Sequence, residues 1–310
     1  MATSAEAPED SDRSSEAATK LNVDRQEFER SDGWLTRTDY LSRVVYWGIH
    51  ASCLMVLAVG APTEAVLLCI ATYFLRVLGI TAGYHRYFAH KSYKTGRVFQ
   101  FTLALLGCSA TQKGPLWWAG THRRHHRFSD REGDPHSPKD GWYYSHQGWV
   151  FDSRWEGTPS DVIKDFARYP ELVWINKNHW FPPLLLAAIC FGIAGWAGLV
   201  WGFAVSTTLL WHGTYMVNSL AHLWGSRRYE TGDTSRNNLF IALATCGEGW
   251  HNNHHYYQVS ARNGFYWWEV DVTWYVLKLL SWFGVVWDLR VPTAAIREGR
   301  GSEPSATTAA

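Results

Sequence analysis

Residues 181–224 read FPPLLLAAICFGIAGWAGLVWGFAVSTTLLWHGTYMVNSLAHLW. A helix needs about 20 apolar residues to cross the hydrocarbon core of a bilayer. This block is long enough for two crossings, and the sequence predicts a break near Gly198–Gly202. Its last turns turn polar: Asn218 precedes His222 by four, so the two share a helix face. Working outward, two further apolar runs occur earlier, about Arg43 to Gly60 and Glu64 to Gly83, joined by a turn at Ala61–Thr63. Both joints are too short for anything but a helical hairpin. Leu103 to Ala110 is apolar but short and gives way to Gln112-Lys-Gly-Pro115, which predicts a helix dipping into the membrane.

The expected fold is an all-α integral membrane protein. Four transmembrane helices, about 43–60, 64–83, 181–200 and 203–222, carry a helical cap of residues 84–180 and 225–290. The termini, 1–38 and 291–310, are rich in small and acidic residues and read as solvated, disordered tails; the first has no apolar core and is not a signal peptide. Nineteen Trp, with 15 Tyr and 14 Phe, suit membrane interfaces, where amphipathic rings collect. A mean hydropathy of −0.22 fits a chain half in lipid and half polar. Formal net charge is +1 and no basic arm occurs, so no nucleic-acid partner is expected. The five Cys form no C-x-x-C pair and read as buried thiols without disulfides. Lys and Arg crowd the segment between the hairpins and the one after them, while the tight turns have none. The positive-inside bias then predicts cytoplasmic termini and a cytoplasmic cap, in a bacterial inner membrane or the endoplasmic reticulum.

With an even number of crossings, every histidine cluster emerges on one side. His85 and His90 follow the second run; His122, His125 and His126 form H-x-x-H-H in the middle segment; His251, His254 and His255 repeat that pattern near the carboxyl end. His222 is the ninth of these, out of 14 in the chain. In a helix, positions i, i+3 and i+4 share a face, so each H-x-x-H-H can aim three rings at one place. His85 and His90, five apart, would lie about 140° apart at 3.6 residues per turn. They are expected to reach two different ions unless the helix breaks between them. Imidazole suits zinc, copper, iron and nickel alike, and this many donors implies two ions. Ligating imidazoles need their other N–H held; Asp130, Asp134, Glu248 and Glu269 are the expected partners. His50, His136, His146, His179 and His212 are assigned structural places.

The segments G-I-T-A-G-Y-H-R-Y-F-A-H-K-S-Y, H-R-R-H-H-R-F-S-D-R-E-G-D-P-H-S-P, N-S-L-A-H-L-W-G and G-E-G-W-H-N-N-H-H, in this order, resemble the integral-membrane acyl-CoA desaturases, from about Asp39 to Arg290. The resemblance implies an O2-dependent enzyme that sets a cis double bond, typically at carbon 9, into a saturated acyl chain. It implies two irons held by the nine histidines, one of them reached by Asn218 through a water; zinc is an expected adventitious occupant. It also implies a kinked tunnel with Gln112, Trp118 and Thr214 at its bend and Tyr73 near its closed end. Two positions depart from the family's pattern. Tyr215 stands where animal relatives carry Trp near the thioester, and Val77 is bulkier than the small residue often found one helical turn from the tunnel end. The second favours palmitoyl over stearoyl chains. Neither a haem-binding H-P-G-G nor a ferredoxin-like Cys set occurs. Electrons are therefore expected from a separate ferredoxin, rubredoxin or cytochrome b type carrier with its reductase. Acyl-lipid desaturation and lipid or alkane hydroxylation share the histidine chemistry and remain alternatives. A metal transporter would need a polar path through the spans, and His50 and Arg76 offer little of one.

Overall fold

The computed structural model describes residues 37–300; all but the last two residues of the expected amino-terminal tail, and the end of the carboxyl-terminal one, lie outside them. Residues up to Val44 and residues from Val45 onward form two compact units, and of the first only the opening of one helix is described. The described residues are mostly helical, with among them a single two-stranded antiparallel ribbon, β1 (Lys94–Thr95) on β2 (Val286–Trp287).

Among the described residues, three helices are long and apolar enough to cross a membrane: Leu41–Val59, Thr63–Ala89 and Phe181–Leu223. Helix α1 (Arg37–Ser52) runs on through irregular turns to Val59. Gly60, at φ +67°, then reverses the chain in a conformation a side chain would resist, and α2 (Thr63–Leu78) follows. The third apolar helix is a hairpin. Its reversal lies at Ala194 and Gly195, whose backbone leaves the helical region, and not at the expected Gly198–Gly202. Gly195 adopts φ +56°, which glycine alone takes without penalty. Beyond the bend the arms close so tightly that a Cβ on Gly198 would stand 2.1 Å from the Cys190 carbonyl oxygen. The arms are α5 (Phe181–Gly198), up to the kink, and a segment ending in α6 (Ser206–Asn218).

Helix α3 (Arg97–Ser109), the short apolar helix, packs on the continuation of α2. Gly107 sits under the Tyr84 ring, where a Cβ would meet ring carbon at 2.2 Å. Arg76, 1% exposed inside the α2 span, ties three elements together. It donates to the Ser109 carbonyl at 3.2 Å, to Thr207 Oγ1 at 2.7 Å and to Ser206 Oγ at 2.5 Å. A buried guanidinium in a span is costly unless its donors are met, and here neutral oxygens meet them.

The polar body contains α4 (Pro115–Phe128), α7 (His251–Tyr256) and α8 (Val272–Trp282). Pro115 opens α4, where its missing N–H costs nothing, and Asn176 Oδ1 accepts from the Leu116 and Trp117 amides at 3.1 and 3.0 Å. The expected tail from Val291 stays docked as far as it is described. Ile296 is buried, and the Arg297 carbonyl accepts from the Tyr229 and Tyr266 hydroxyls.

Candidate metal centre

The histidine sites begin with an irregularity. From Gly79 to Ala89 the α2 helix widens into a π-helix, and the His90 amide donates to the His85 carbonyl, an i→i+5 bond at 3.1 Å. In this wider turn residues five apart stack on one face, so His85 and His90 reach the same place instead of two. Helix α4 brings His122 and His126; α7 brings His254. These five imidazoles form one group whose ligand nitrogens all lie within 4.8 Å of one another. His125, His222, His251 and His255 form a second group of the same kind.

Each H-x-x-H-H is therefore divided, contrary to the expectation of three rings at one point. The i, i+4 pairs His122/His126 and His251/His255 stay together, and the third ring of each crosses to the other group. At about 100° per residue, i+4 lies roughly 40° from i on one side and i+3 roughly 60° on the other. The two motifs face each other, so the splayed ring of each lands in its neighbour's cluster. The groups adjoin: the His126 and His255 ring centroids are 4.5 Å apart.

Within the first group, Nε2 atoms approach at 2.9–3.0 Å: His85 to His254, His90 to His122, His122 to His126 and His126 to His254. His222 and His251 Nε2 approach at 3.0 Å in the second. Metal–imidazole bonds of about 2.1 Å place neighbouring nitrogens roughly 3.0 Å apart at right angles and about 3.4 Å apart at tetrahedral angles. The observed spacing matches the right-angled set. In the second group His125 and His255 Nε2 are buried and have no protein partner. Their Nδ1 atoms are engaged by Asp134 at 2.9 Å and Asp233 at 2.7 Å, which places the proton on Nδ1 and leaves an Nε2 lone pair aimed inward. The residues present fit two metal ions.

Burial first, and then mutual repulsion, holds His90, His122, His126, His251 and His254 well below the ordinary imidazole range. Neutral rings with free lone pairs are what a cation needs. Burial lowers His125 too, but Asp134 outweighs it and raises that ring. Burial likewise pushes the Asp134 and Asp233 carboxyls up, yet the imidazoles beside them win and hold both below the usual carboxylate range.

Of the four carboxylates expected behind the rings, three are there. Asp134 bonds His125; Asp130 Oδ1 lies 3.4 Å from His222 Nδ1; Glu248 Oε2 lies 2.5 Å from His85 Nδ1. Glu269 is elsewhere: it pairs with Arg228 and accepts from Asn253 Nδ2 at 2.9 Å, anchoring α7 without touching a ring of either group. Asp233 was not foreseen. It sits in a polar loop 22 residues before His255, and nothing in its local sequence distinguishes it from a turn aspartate. Arg86, one of the basic residues of the middle segment that set the expected sidedness, is instead fully buried; it grips Asp271 through two bonds and Glu248 through one, at 3.0–3.1 Å. The glycines of G-E-G-W-H make that packing possible, since a Cβ on Gly247 would stand 2.4 Å from Asp271 Oδ1 and one on Gly249 2.1 Å from the Ala242 amide.

Among the histidines assigned structural places, His136 lies beside the second group, its ring 4.3 Å from that of His125. His50, His212 and His146 form a separate chain of ring contacts at 3.1 and 2.9 Å, ending on Ser219 Oγ at 2.9 Å.

A cavity runs from both histidine groups into apolar helix. Its lining combines Tyr73, Val77, Ile80, Leu210 and Val217 with Asn218 and with imidazoles of both groups, His85, His122, His125 and His251. Gln112, Trp118 and Thr214 form one hydrogen-bonded chain: Trp118 Nε1 donates to Gln112 Oε1 at 3.1 Å, and Gln112 Nε2 donates to Thr214 Oγ1 at 3.0 Å. Trp118 also stacks on His122, centroids 5.0 Å apart. Tyr73 donates its hydroxyl to the Ala244 carbonyl at 2.6 Å. Tyr215 is buried against His146 and His212.

Comparison with known proteins agrees with this chemistry. Residues 62–285 match the family model for fatty acid desaturases. The chain is 38% identical over 270 residues to the acyl-CoA C20 Δ5-desaturase of Anemone leveillei, covering 83% of each chain. It is 37% identical to Δ9 acyl-lipid desaturase 2 of Arabidopsis thaliana, over 84% of this chain and 86% of that one. It is also 37% identical to the sn-2 palmitoyl-lipid 9-desaturase of Nostoc sp. (strain 36), over 78% and 87%. By this family match and these relatives, the chain belongs to the fatty acid desaturase family, oxidoreductases of lipid metabolism.

Proposed function

We propose that this chain uses O2 to set a cis double bond at carbon 9 of a saturated acyl chain, with iron in both histidine groups and electrons from a separate carrier. The observation that carries the reading is the cavity, whose apolar length opens onto imidazoles of both groups at once. When bound, a pair of irons would supply the activation of dioxygen and the removal of two hydrogens. Overall the acyl chain loses two hydrogens, and dioxygen becomes two waters with two electrons and two protons from outside.

The protein's own residues decide where this happens. Each buried methylene contributes roughly 0.8 kcal/mol, so binding a long chain is easy. A slip by one carbon changes that sum by less than about 1 kcal/mol, a few-fold at most. Shape must choose the carbon instead. The Trp118–Gln112–Thr214 chain braces one wall beside His122, and Tyr73, tethered to Ala244, fixes the far end. Val77 narrows that end and favours palmitoyl over stearoyl. Asn218 lines the cavity within reach of the second group and is proposed to hold a water on its metal.

The carrier of the acyl group is coenzyme A or a glycerolipid; relatives of both kinds match. The apolar hairpins are read as four spans, with the polar body and both termini in the cytoplasm, where the Lys- and Arg-rich rim would meet an acidic electron carrier such as a ferredoxin, rubredoxin or cytochrome b type protein. The test is to express the chain in a host without its own desaturase and analyse fatty acids by gas chromatography. Membranes from that host are then supplied with palmitoyl-CoA or a palmitoyl phospholipid, O2 and reductant. A cis-9 product is expected. A hydroxylated product, or unsaturation at another carbon, would overturn the assignment.

A further inference from the structure

The two histidine groups are not supported alike. In the group of four, three rings have a carboxylate at the outer nitrogen: His125 with Asp134, His255 with Asp233 and His222 with Asp130. Among the described residues, the only ion pairs these three aspartates make are with histidines. Their remaining partners are neutral donors: Thr234 for Asp130; the Asp130 and His136 amides for Asp134; Thr231 and the Ser235 amide for Asp233. In the group of five, only His85 has a carboxylate behind it among the described residues; Arg86 is shared between that Glu248 and Asp271, so one net negative charge remains there against three in the other group. His126 and His254 Nδ1 are buried with no protein partner.

The consequence is electrostatic. A carboxylate at the outer nitrogen makes the ring a stronger donor and fixes its tautomer. Three unneutralised carboxylates in a buried setting also lower the energy of any cation nearby, and more so the higher its charge. We infer that the two metal positions are inequivalent: the four-histidine position binds its ion more tightly and keeps it in the higher oxidation state, while the five-histidine position is the weaker and the first to be reduced. Asp134 and Asp233, with Asp130, are positioning residues for this difference. The inference rests on the reading that both groups hold metal, and goes beyond it by ranking them.

The test titrates detergent-purified, metal-free protein with iron(II) without oxygen, against a competing chelator, counting bound metal after desalting. Two separate steps of one ion each are expected. Removing an outer partner of a metal-bound histidine typically weakens binding 10- to 100-fold. Asp233→Asn and Asp134→Asn should weaken the tighter step by about that factor and leave the other within about threefold, and Glu248→Gln should do the reverse. Asp233→Glu should restore the tighter step, which separates lost charge from lost folding. A redox titration of the loaded protein gives a readout packing alone would not move. Asp233→Asn should raise the lower of two reduction potentials and leave the higher in place. Two equal steps, or aspartate and Glu248 variants weakening the same step, would overturn the ranking while leaving the metal reading intact. No bound iron at all would overturn both.

Discussion

Val77→Ala should lengthen the preferred acyl chain, and the structure sets the size of the effect. Val77 is buried, lines the cavity and stands one helical turn from Tyr73 on the same helix face. Deleting its two methyl groups opens room for about two more chain carbons, worth roughly 1.6 kcal/mol at 0.8 per methylene. At 1.36 kcal/mol per factor of ten, the ratio of stearoyl to palmitoyl turnover should rise by about fifteenfold, an upper figure because the cavity can partly collapse. The fold should lose about 2 kcal/mol, tolerable for a well-packed body. Tyr73→Phe is the control. It gives up the bond to the Ala244 carbonyl, worth about 1 kcal/mol, but leaves the ring as end wall, so the ratio should stay at its wild-type value. The assay offers equal palmitoyl and stearoyl substrate and reads products as methyl esters by gas chromatography. An active Val77→Ala protein with an unchanged ratio, or a larger shift from Tyr73→Phe, would refute the end-wall argument.

Three further outcomes follow from the same geometry. His251→Ala should lower bound metal and abolish double-bond formation while the protein still inserts into membranes; full activity would mean the site is misassigned. Gln112→Met keeps the volume but cuts both bonds that link Trp118 to Thr214. The double bond should then scatter to neighbouring carbons by a few-fold, read by mass spectrometry of derivatised products, and a single unchanged isomer would argue against the brace. Acid should destabilise the metal-free protein. Burial pushes His255 down to about 4 from its ordinary value near 6.5, so the unfolded chain binds more protons between those values. Stability should therefore fall as pH drops through that window. A melting temperature flat from pH 7 to pH 4.5 would contradict it.

Much of the site is legible locally. Spacing of i, i+3 and i+4 marks His122, His125 and His126, and again His251, His254 and His255, as rings on one side of a short helix. Apolar length marks the helices that fit a membrane, and Asp130 and Asp134 lie close enough in sequence to their rings to be named. The place of the hairpin bend is not legible in the sequence, because Gly195, Gly198 and Gly202 all look alike there. Only the packing shows which one turns and which merely lets the arms approach. Glu269 is as near to a histidine cluster as Glu248 is, yet it serves Asn253 and Arg228; nearness along the chain says nothing about which way a carboxylate faces.

The sequence by itself determined the donors, the membrane-length helices and the family, because these depend on residue type and on spacing within a turn or two. The tertiary structure decided the rest. A π-helix, stabilised by its packing against α3 and α4, puts His85 and His90 on one face where a regular helix would part them. Two facing motifs exchange one ring each, giving groups of five and four. Asp233 and Arg86 take their roles from partners that lie far away in sequence and meet them only after folding. Metal geometry is a property of distances in space, and local spacing constrains those distances only within one helix.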